Sequence, residues 1–442
     1  MATLPKDFYK YPIPTHLTRH KSVGKVRRPL GDPIAEFKEM TRFEPISRPA
    51  PQQLKVPLDV FDPHASQAAV TAKELVFHTV GDVGGVNGTA TEEAIAGAME
   101  DQLASPGKAG TPAFLYLLGD VIYYNGEQGL YKTEFYEPYQ YYRALIFAIP
   151  GNHDGDTHVR KGDPPDNEPS LFGFLENFCD TVPQHASPYR MSMTQPYPYW
   201  TLDAPFVTII GLYSNVEGSL DARGRSDQQT YLEAQLNAAD KSKKLLITVH
   251  HPPYSLDAAH GGTPDILNAL DRAAAATGRT PDAILSGHVH NYQRFSRAMG
   301  GREIPYVVAG AGGYANEAKS LHRLQKGLTA DKKTGKIKTT VPGVVLEKFQ
   351  RSGTRISSGD GERKADRFRV LHGRFQSATC GHVVRYVYGV GLSRCRERSD
   401  GKPPRGRCMF EWAEFQGIVT RLDRTTMKRP PGNWAAFSFK GE

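Results

Sequence analysis

Seven short apolar segments, each ending at a polar loop, constrain the fold of this chain more than any other feature. They are ELVFHTV, AFLYLL, ALIFAIP, FVTIIG, KLLITV, AILS and PYVVA, all between residues 74 and 309. Runs of this length that are rich in Val, Ile, Leu and Phe are typical of strands buried on both faces of a sheet. The sequence therefore predicts seven core strands.

Helices are predicted between several of these strands, at residues 89–104, 226–241 and 264–276. The second opens with Ser226, and Gln229 three residues later predicts a capping box. Because strands alternate with helices, the fold class is predicted to be α/β, a sandwich whose strand order the sequence does not give.

The two ends of the chain differ from this central pattern. Residues 1–70 hold ten prolines and show no sustained period, which predicts an extended arm that lies on the surface or is partly disordered. Residues 71–350 are predicted to form the α/β domain, and residues 351–442 a separate basic segment. A chain of 442 residues is long enough for one large core with such extensions.

The net charge of +8 comes from one stretch, residues 351–408, which carry 14 Lys and Arg against 5 Asp and Glu. Nucleic acid is therefore expected as a partner only through this segment. The composition of this segment is unsuited to buried strands. One interpretation is a regulatory or nucleic-acid-binding tail, and the other is that a shifted reading frame replaced the native strands. We favour the second because aromatic and basic residues do not interleave there.

Composition also narrows the cell location and the metal chemistry. No apolar run of about 18 residues predicts a membrane span, and the amino terminus lacks the apolar core of a secretory signal. This predicts a cytoplasmic protein, or a secreted one if a leader was removed. The four cysteines contain no CxxC pair, so metal ligands are expected among Asp, Glu, Asn, Tyr and His.

Residues that bind metals follow five of the seven strands. They are Asp82, Asp120, Tyr123, Asn152, His153, His250, His251, His288 and His290. Each alone has an ordinary explanation, because Asp caps helices, Asn and Asp favour turns, and loop histidines are usually solvated. Sites in open α/β sheets gather at the carboxyl ends of strands, so the joint pattern predicts one convergent site.

The ordered motifs GDVG, GDVIY, GNHD, VHH and GHVH resemble the signature of the calcineurin-like metallophosphoesterases. Gly84 stands where many members have a ligand histidine, and Tyr123 lies three residues after Asp120, an exchange that resembles the purple acid phosphatases. The resemblance covers roughly residues 75–350. It implies a four-layer α/β/β/α sandwich.

The resemblance also implies a metal centre with two ions. Asp82, Tyr123 and His290 would bind the first ion, and Asn152, His250 and His288 the second, with Asp120 bridging them. A phenolate ligand favours ferric iron at the first site, while ferrous iron, zinc or manganese suits the second.

The implied reaction is hydrolysis of small phosphate esters, mainly monoesters, by attack of a metal-activated hydroxide on phosphorus. His153 and His260 would contact the substrate or protonate its leaving group. His251 and Asp154 would support the ligands. Two alternatives remain: a phosphodiesterase for nucleotides or phospholipid head groups, and a variant impaired by its altered carboxyl terminus. The sequence leaves the oligomeric state open.

Overall fold

The structure, a computed structural model, describes residues 42–85, 89–105, 110–123, 125–157, 168–258, 260–314, 323–339, 341–350, 370–376 and 385–389. Within these ranges, no helix has the length and apolar character that crossing a bilayer requires. Most of the basic segment and the first 41 residues lie outside the described residues.

The described strands form two sheets. Their bounds are β1 Lys55–Pro57, β2 Glu74–Val80, β3 Phe114–Leu117, β4 Leu145–Ala148, β5 Trp200–Ala204, β6 Val207–Leu212, β7 Lys244–Val249, β8 Ala283–Ser286, β9 Tyr292–Met299, β10 Arg302–Ala309, β11 Ile337–Lys338, β12 Val344–Gln350, β13 Val370–Gln376 and β14 Arg385–Gly389. The larger sheet has the order β1-β5-β6-β7-β8-β10-β9-β12-β11, and the smaller one β14-β13-β2-β3-β4. All seven predicted strands are present.

Helices connect the strands. The α-helices are α1 Leu58–Phe61, α2 Pro63–Ala72, α3 Ala90–Ala104, α4 Asn152–Gly155, α5 Phe172–Phe178, α6 Asp227–Ala238 and α7 Pro264–Thr277. A 3₁₀ turn at Gln128–Leu130 and a π-helical turn at Lys132–Tyr136 lie between β3 and β4. The three predicted helices correspond to α3, α6 and α7, and the predicted α/β class is confirmed.

Alternate residues of the strands face two different apolar clusters, as the two-residue period of a strand requires. One cluster joins the two sheets, with Phe77, Phe114 and Tyr116 on one side and Trp200, Leu246 and Leu285 on the other. The intervening residues Leu115 and Leu117 belong to a second cluster. That cluster also contains the apolar faces of the helices, including Ile95, Met99, Leu232, Leu236, Ile266 and Leu270.

The start of α6 differs from the predicted capping box. The Ser226 side chain makes no capping hydrogen bond. The carboxylate of Asp221 instead accepts hydrogen bonds from the backbone N–H groups of Gln228 (2.8 Å) and Gln229 (3.0 Å). A carboxylate satisfies these unpaired donors and complements the positive end of the helix better than a serine hydroxyl does.

Both terminal regions also differ from the sequence prediction where they are described. The end of the predicted extended arm forms β1, α1 and α2, because Asp62 caps α2 by accepting from Ala65 N at 2.9 Å and Pro63 begins the helix. In the basic segment, β13 pairs with β2 and β14 pairs with β13. The expectation that the composition is unsuited to strands overlooked VLHGRFQ and RYVYG, whose aromatic and β-branched residues favour strands.

Candidate metal centre

The candidate ligands meet where parallel strands of both sheets end. β2, β3 and β4 run parallel in the smaller sheet, as do β7 and β8 in the larger one. Loops of the smaller sheet supply the oxygen donors Asp82, Asp120, Tyr123 and Asn152. Loops of the larger sheet supply the imidazoles of His250, His288 and His290. The two sheets thus bring different donor types to one site.

Three of these residues have left-handed backbone conformations, which are uncommon for residues other than glycine. The φ angles are 58° at Asp82, 53° at Asp120 and 67° at His288. Such conformations cost free energy and cluster at functional sites, where the surrounding structure holds them. The backbone conformations that direct these side chains therefore cost some stability.

Two glycines allow the loops to approach one another. Gly119 has a φ of 93°, and a Cβ atom there would lie 2.5 Å from Nδ1 of His250. A Cβ atom on Gly151 would collide with the Asp120 side chain. Because only glycine fits at these contacts, the loops after β3, β4 and β7 pack directly together.

Asp120 lies at the centre of the cluster and is 1% exposed. Its Oδ2 atom is 3.1 Å from the Tyr123 hydroxyl and 3.3 Å from Nε2 of His250. Burial raises the pKa of this carboxyl, but the neighbouring His250 and His153 outweigh burial and hold the pKa below its ordinary value. Asp120 is therefore a carboxylate that faces both groups of candidate ligands.

The first half-site consists of Asp82, Tyr123 and His290. The Tyr123 hydroxyl is 3.4 Å from Asp82 Oδ1 and 3.5 Å from His290 Nε2. His290 Nε2 is 3.4 Å from the same Asp82 oxygen. Burial raises the pKa of both Asp82 and Tyr123 well above their ordinary values. Stable ionisation of these side chains would therefore need a cation between them.

The second half-site consists of Asn152, His250 and His288. Oδ1 of Asn152 is 3.0 Å from His250 Nε2 and 2.9 Å from His288 Nδ1. Since the Leu118 carbonyl only accepts, His250 Nδ1 must donate the hydrogen bond of 2.8 Å between them. Nε2 then faces an amide oxygen and a carboxylate oxygen, an arrangement that requires a proton or a metal ion.

The donor set fits metal ions. Donor atoms of Asp120, His250 and His288 lie within 4.8 Å of one another. Among the described residues, the buried Oδ2 atom of Asp82 has no hydrogen-bond partner, which is unfavourable for a carboxylate oxygen unless a cation lies beside it. Oxygen and imidazole donors without thiolate suit hard and borderline cations such as iron, zinc and manganese.

Asp154 connects the two loops of the smaller sheet that carry the oxygen donors. Its buried carboxylate accepts hydrogen bonds from the N–H groups of Val121 (3.0 Å), Ile122 (3.1 Å) and Gly151 (2.7 Å). These donors flank Asp120 on one loop and Asn152 on the other. The prediction that Asp154 supports the ligands is consistent with these contacts.

His251 lies behind the second half-site and not among its donors. Its Nδ1 is 2.8 Å from the hydroxyl of Ser214, and its ring centroid is 4.3 Å from that of His288. Burial lowers the pKa of His251 well below its ordinary value, so the ring is neutral. A neutral ring in contact with His288 restricts the orientation of that candidate ligand.

The two predicted substrate-contacting histidines are both partly exposed and adjoin different half-sites. The His153 ring lies 4.5 Å from the Tyr123 ring, and its backbone N–H donates to Asp120 at 3.0 Å. The His260 ring lies 4.8 Å from the His288 ring. One histidine therefore lies beside a residue of the first half-site and the other beside a residue of the second.

Sequence reasoning passed over two residues of the site. Ser214 follows β6 and contacts His251, while Tyr314 follows β10 and packs against Tyr123 and His290. The sequence did contain a signal for Ser214 and Tyr314, because each follows a predicted strand, and these strands, β6 and β10, are parallel neighbours of β7 and β8. The polar residues after all seven predicted strands, and not only after five of them, are therefore candidates for the site.

Comparisons with known proteins relate this chain to phosphoesterases and acid phosphatases. The family model of calcineurin-like phosphoesterase matches residues 75–292. Human tartrate-resistant acid phosphatase type 5 is 25% identical over 264 residues, 56% of this chain and 76% of that protein. A probable glycerophosphodiester phosphodiesterase of Arcobacter nitrofigilis is 26% identical over 181 residues, 40% of this chain and 57% of that protein.

Among solved structures, a purple acid phosphatase from yellow lupin seeds aligns with a TM-score of 0.49 at 16% identity. The alignment covers 75% of this chain and 52% of the lupin protein, so the chain spans about half the length of that relative. Residues 75–292 thus match the calcineurin-like phosphoesterase family, and this match together with the acid phosphatase relative supports a purple acid phosphatase-like metallophosphoesterase, a hydrolase.

Proposed function

We propose that this protein hydrolyses phosphate monoesters at a centre of two metal ions, within a catalytic domain at residues 71–350. One observation carries the proposal. A single oxygen of Asp120 lies 3.1 Å from a donor of the first half-site and 3.3 Å from a donor of the second. That is the position a bridging carboxylate would occupy. The two half-sites on either side offer three further ligands each.

We assign the metal ions from the charges of the proposed ligands. The first half-site contains a carboxylate and a phenol, and Asp120 adds a further negative charge, so we assign ferric iron to it. The second half-site offers an amide and two imidazoles, which are neutral as ligands, so we assign it a divalent ion: ferrous iron, zinc or manganese. When bound, two such ions polarise a phosphoryl group and lower the pKa of a water molecule.

The residues of the chain hold and orient the substrate. His153, beside Tyr123, and His260, beside His288, are partly exposed and would donate hydrogen bonds to phosphoryl oxygens from opposite sides. One of them would protonate the leaving oxygen of the ester. A monoester presents three terminal oxygens to these donors, which is why we favour monoesters.

A phosphodiesterase is the second candidate. The similarity to the Arcobacter protein, whose name describes a diesterase, covers 40% of this chain. A diester has one terminal oxygen fewer and a second ester group to accommodate. The two candidates therefore predict different losses when the donors His153 and His260 are removed.

The test compares 4-nitrophenyl phosphate with bis(4-nitrophenyl) phosphate. We expect a higher kcat/KM on the monoester and loss of both activities when a chelator removes the metals. The His153→Ala and His260→Ala variants should lose more activity on the monoester than on the diester. A higher kcat/KM on the diester would instead support the second candidate function, a phosphodiesterase. Hydrolysis of both esters by metal-free protein would contradict the proposed mechanism.

A further inference from the structure

We propose that Tyr314 is a positioning residue of the first half-site, which holds Tyr123 and His290 in place by ring packing. The inference rests on the proposed function, because it gives the first half-site its role as a metal site. Tyr314 would act on the metal through these ligands and would not itself be a ligand.

Tyr314 contacts all three members of the first half-site. Its backbone N–H donates to the Asp82 carbonyl at 3.0 Å. Its ring centroid lies 4.0 Å from the His290 ring, with 43° between the planes, and 4.5 Å from the Tyr123 ring, at 44°. Both ring pairs are tilted, and contacts between aromatic rings are attractive beyond the area that they bury. One side chain therefore restricts the rotation of two candidate ligands.

The turn that carries Tyr314 is a rigid support. Gly81 N donates to the Ala309 carbonyl at 3.0 Å, so the ends of β2 and β10 are joined by a hydrogen bond. Cβ atoms on Gly312 and Gly313 would collide with the backbone around Asp82. Because this approach leaves no space for side chains, the turn after β10 keeps Tyr314 at a fixed distance from the first half-site.

Tyr314 also separates the first half-site from solvent. Tyr123 is 2% and His290 is 6% exposed, whereas Tyr314 itself is partly exposed. Removing its ring would admit water beside the two ligands and free them to rotate. Both effects weaken metal binding, because the surroundings of a ligand fix its orientation and control the local dielectric.

The experiment uses the iron-containing protein and three variants, Tyr314→Phe, Tyr314→Leu and Tyr314→Ala. Tyr141→Ala, at a tyrosine that is 38% exposed, serves as the control. Each protein is measured for the wavelength of its tyrosinate-to-iron absorption band and for the rate of iron loss to a chelator. The Tyr314→Leu variant tests whether a bulky side chain without a flat ring is enough to hold the two ligands. It also takes the place of Tyr314→Ala if that variant does not fold.

We expect Tyr314→Phe and the control to match the wild type in both measurements. Tyr314→Leu and Tyr314→Ala should shift the band and lose iron faster, by roughly ten- to a hundredfold, as for other residues that orient metal ligands. If all three variants retain the wild-type band and iron-loss rate, the role of Tyr314 is refuted and the proposed function stands. If Tyr314→Phe behaves like Tyr314→Ala, the hydroxyl acts and ring packing is refuted. Wild-type protein without the band would instead refute the ferric assignment itself.

Discussion

The first and second half-sites share Asp120 but differ in the charge of their donors. The first contains a carboxylate and a phenol, and the second contains only an amide and imidazoles. The smaller sheet gives two oxygen donors to the first half-site and one to the second, whereas the larger sheet gives one imidazole to the first and two to the second. The two half-sites therefore offer different amounts of negative charge to a bound cation.

The half-sites also differ in what packs against them. The first half-site packs against Tyr314, a partly exposed ring that follows β10. The second packs against the buried ring of His251, which Ser214 holds by a hydrogen bond of 2.8 Å. Each half-site thus has its own aromatic support, and a substitution at one should leave the other nearly intact.

Removal of the shared carboxylate should have the largest effect, because it damages both half-sites. For Asp120→Asn we expect loss of both metals and a fall in kcat/KM beyond about a hundredfold, the upper limit for residues that only support ligands. Metal content and initial rates on 4-nitrophenyl phosphate measure this. The same change at Asp203, which pairs with Lys55 and Lys243 at the surface, is the matched control. An Asp120→Asn protein that retains both ions would rule out the bridge.

Removal of the phenol should separate the half-sites. Tyr123→Phe should abolish the visible band and the retention of ferric iron, while the second half-site keeps its divalent ion. Tyr139→Phe is the control, because Tyr139 is fully buried and its hydroxyl makes no hydrogen bond within the part of the chain that the structure describes. The observation against this account would be a Tyr123→Phe protein with an unchanged band.

Asp154→Asn should weaken metal binding at both half-sites, but less than Asp120→Asn does. An amide accepts fewer of the hydrogen bonds from Val121, Ile122 and Gly151, so the loops carrying Asp120 and Asn152 lose part of their connection. We expect both ions to bind roughly ten- to a hundredfold more weakly. The iron and zinc content after equilibration with a competing chelator would show this, and loss confined to one ion would argue against a shared role.

The smallest expected effect is on the pH dependence of folding stability, and it involves β2, the strand that leads to Asp82. Burial lowers the pKa of His78 to about 4, although the hydrogen bond that its Nε2 donates to Gln102 opposes the shift. The folded protein therefore binds a proton less readily than the unfolded chain, whose His pKa is about 6.5. The stabilisation is full above pH 6.5 and declines as the pH falls towards 4, by about 2 kcal/mol at pH 5.

Urea unfolding at pH 7 and pH 5 measures this loss. His78→Gln retains hydrogen-bonding groups for Tyr142 and Gln102 but does not titrate. The variant should therefore lose less stability than the wild type between the two pH values. Equal losses would show that His78 does not control the acid sensitivity of the smaller sheet.

Much of the fold and site followed from the sequence, for identifiable reasons. The strands before Asp82, Asp120 and Asn152 are short, mainly apolar runs, a pattern that predicts buried strands without knowledge of the tertiary structure. The capping of α6 by Asp221 was missed because that residue lies outside the local motif. Tyr314 and Ser214 were missed because their roles depend on which strand ends adjoin, a property of the sheet order.

Metal analysis together with a visible absorption spectrum, on protein produced with iron available, tests the central claim most directly. We predict two metal ions per chain, at least one of them iron, and a broad visible band that the Tyr123→Phe variant lacks. A folded wild-type protein that binds no metal under these conditions would contradict the account of both half-sites.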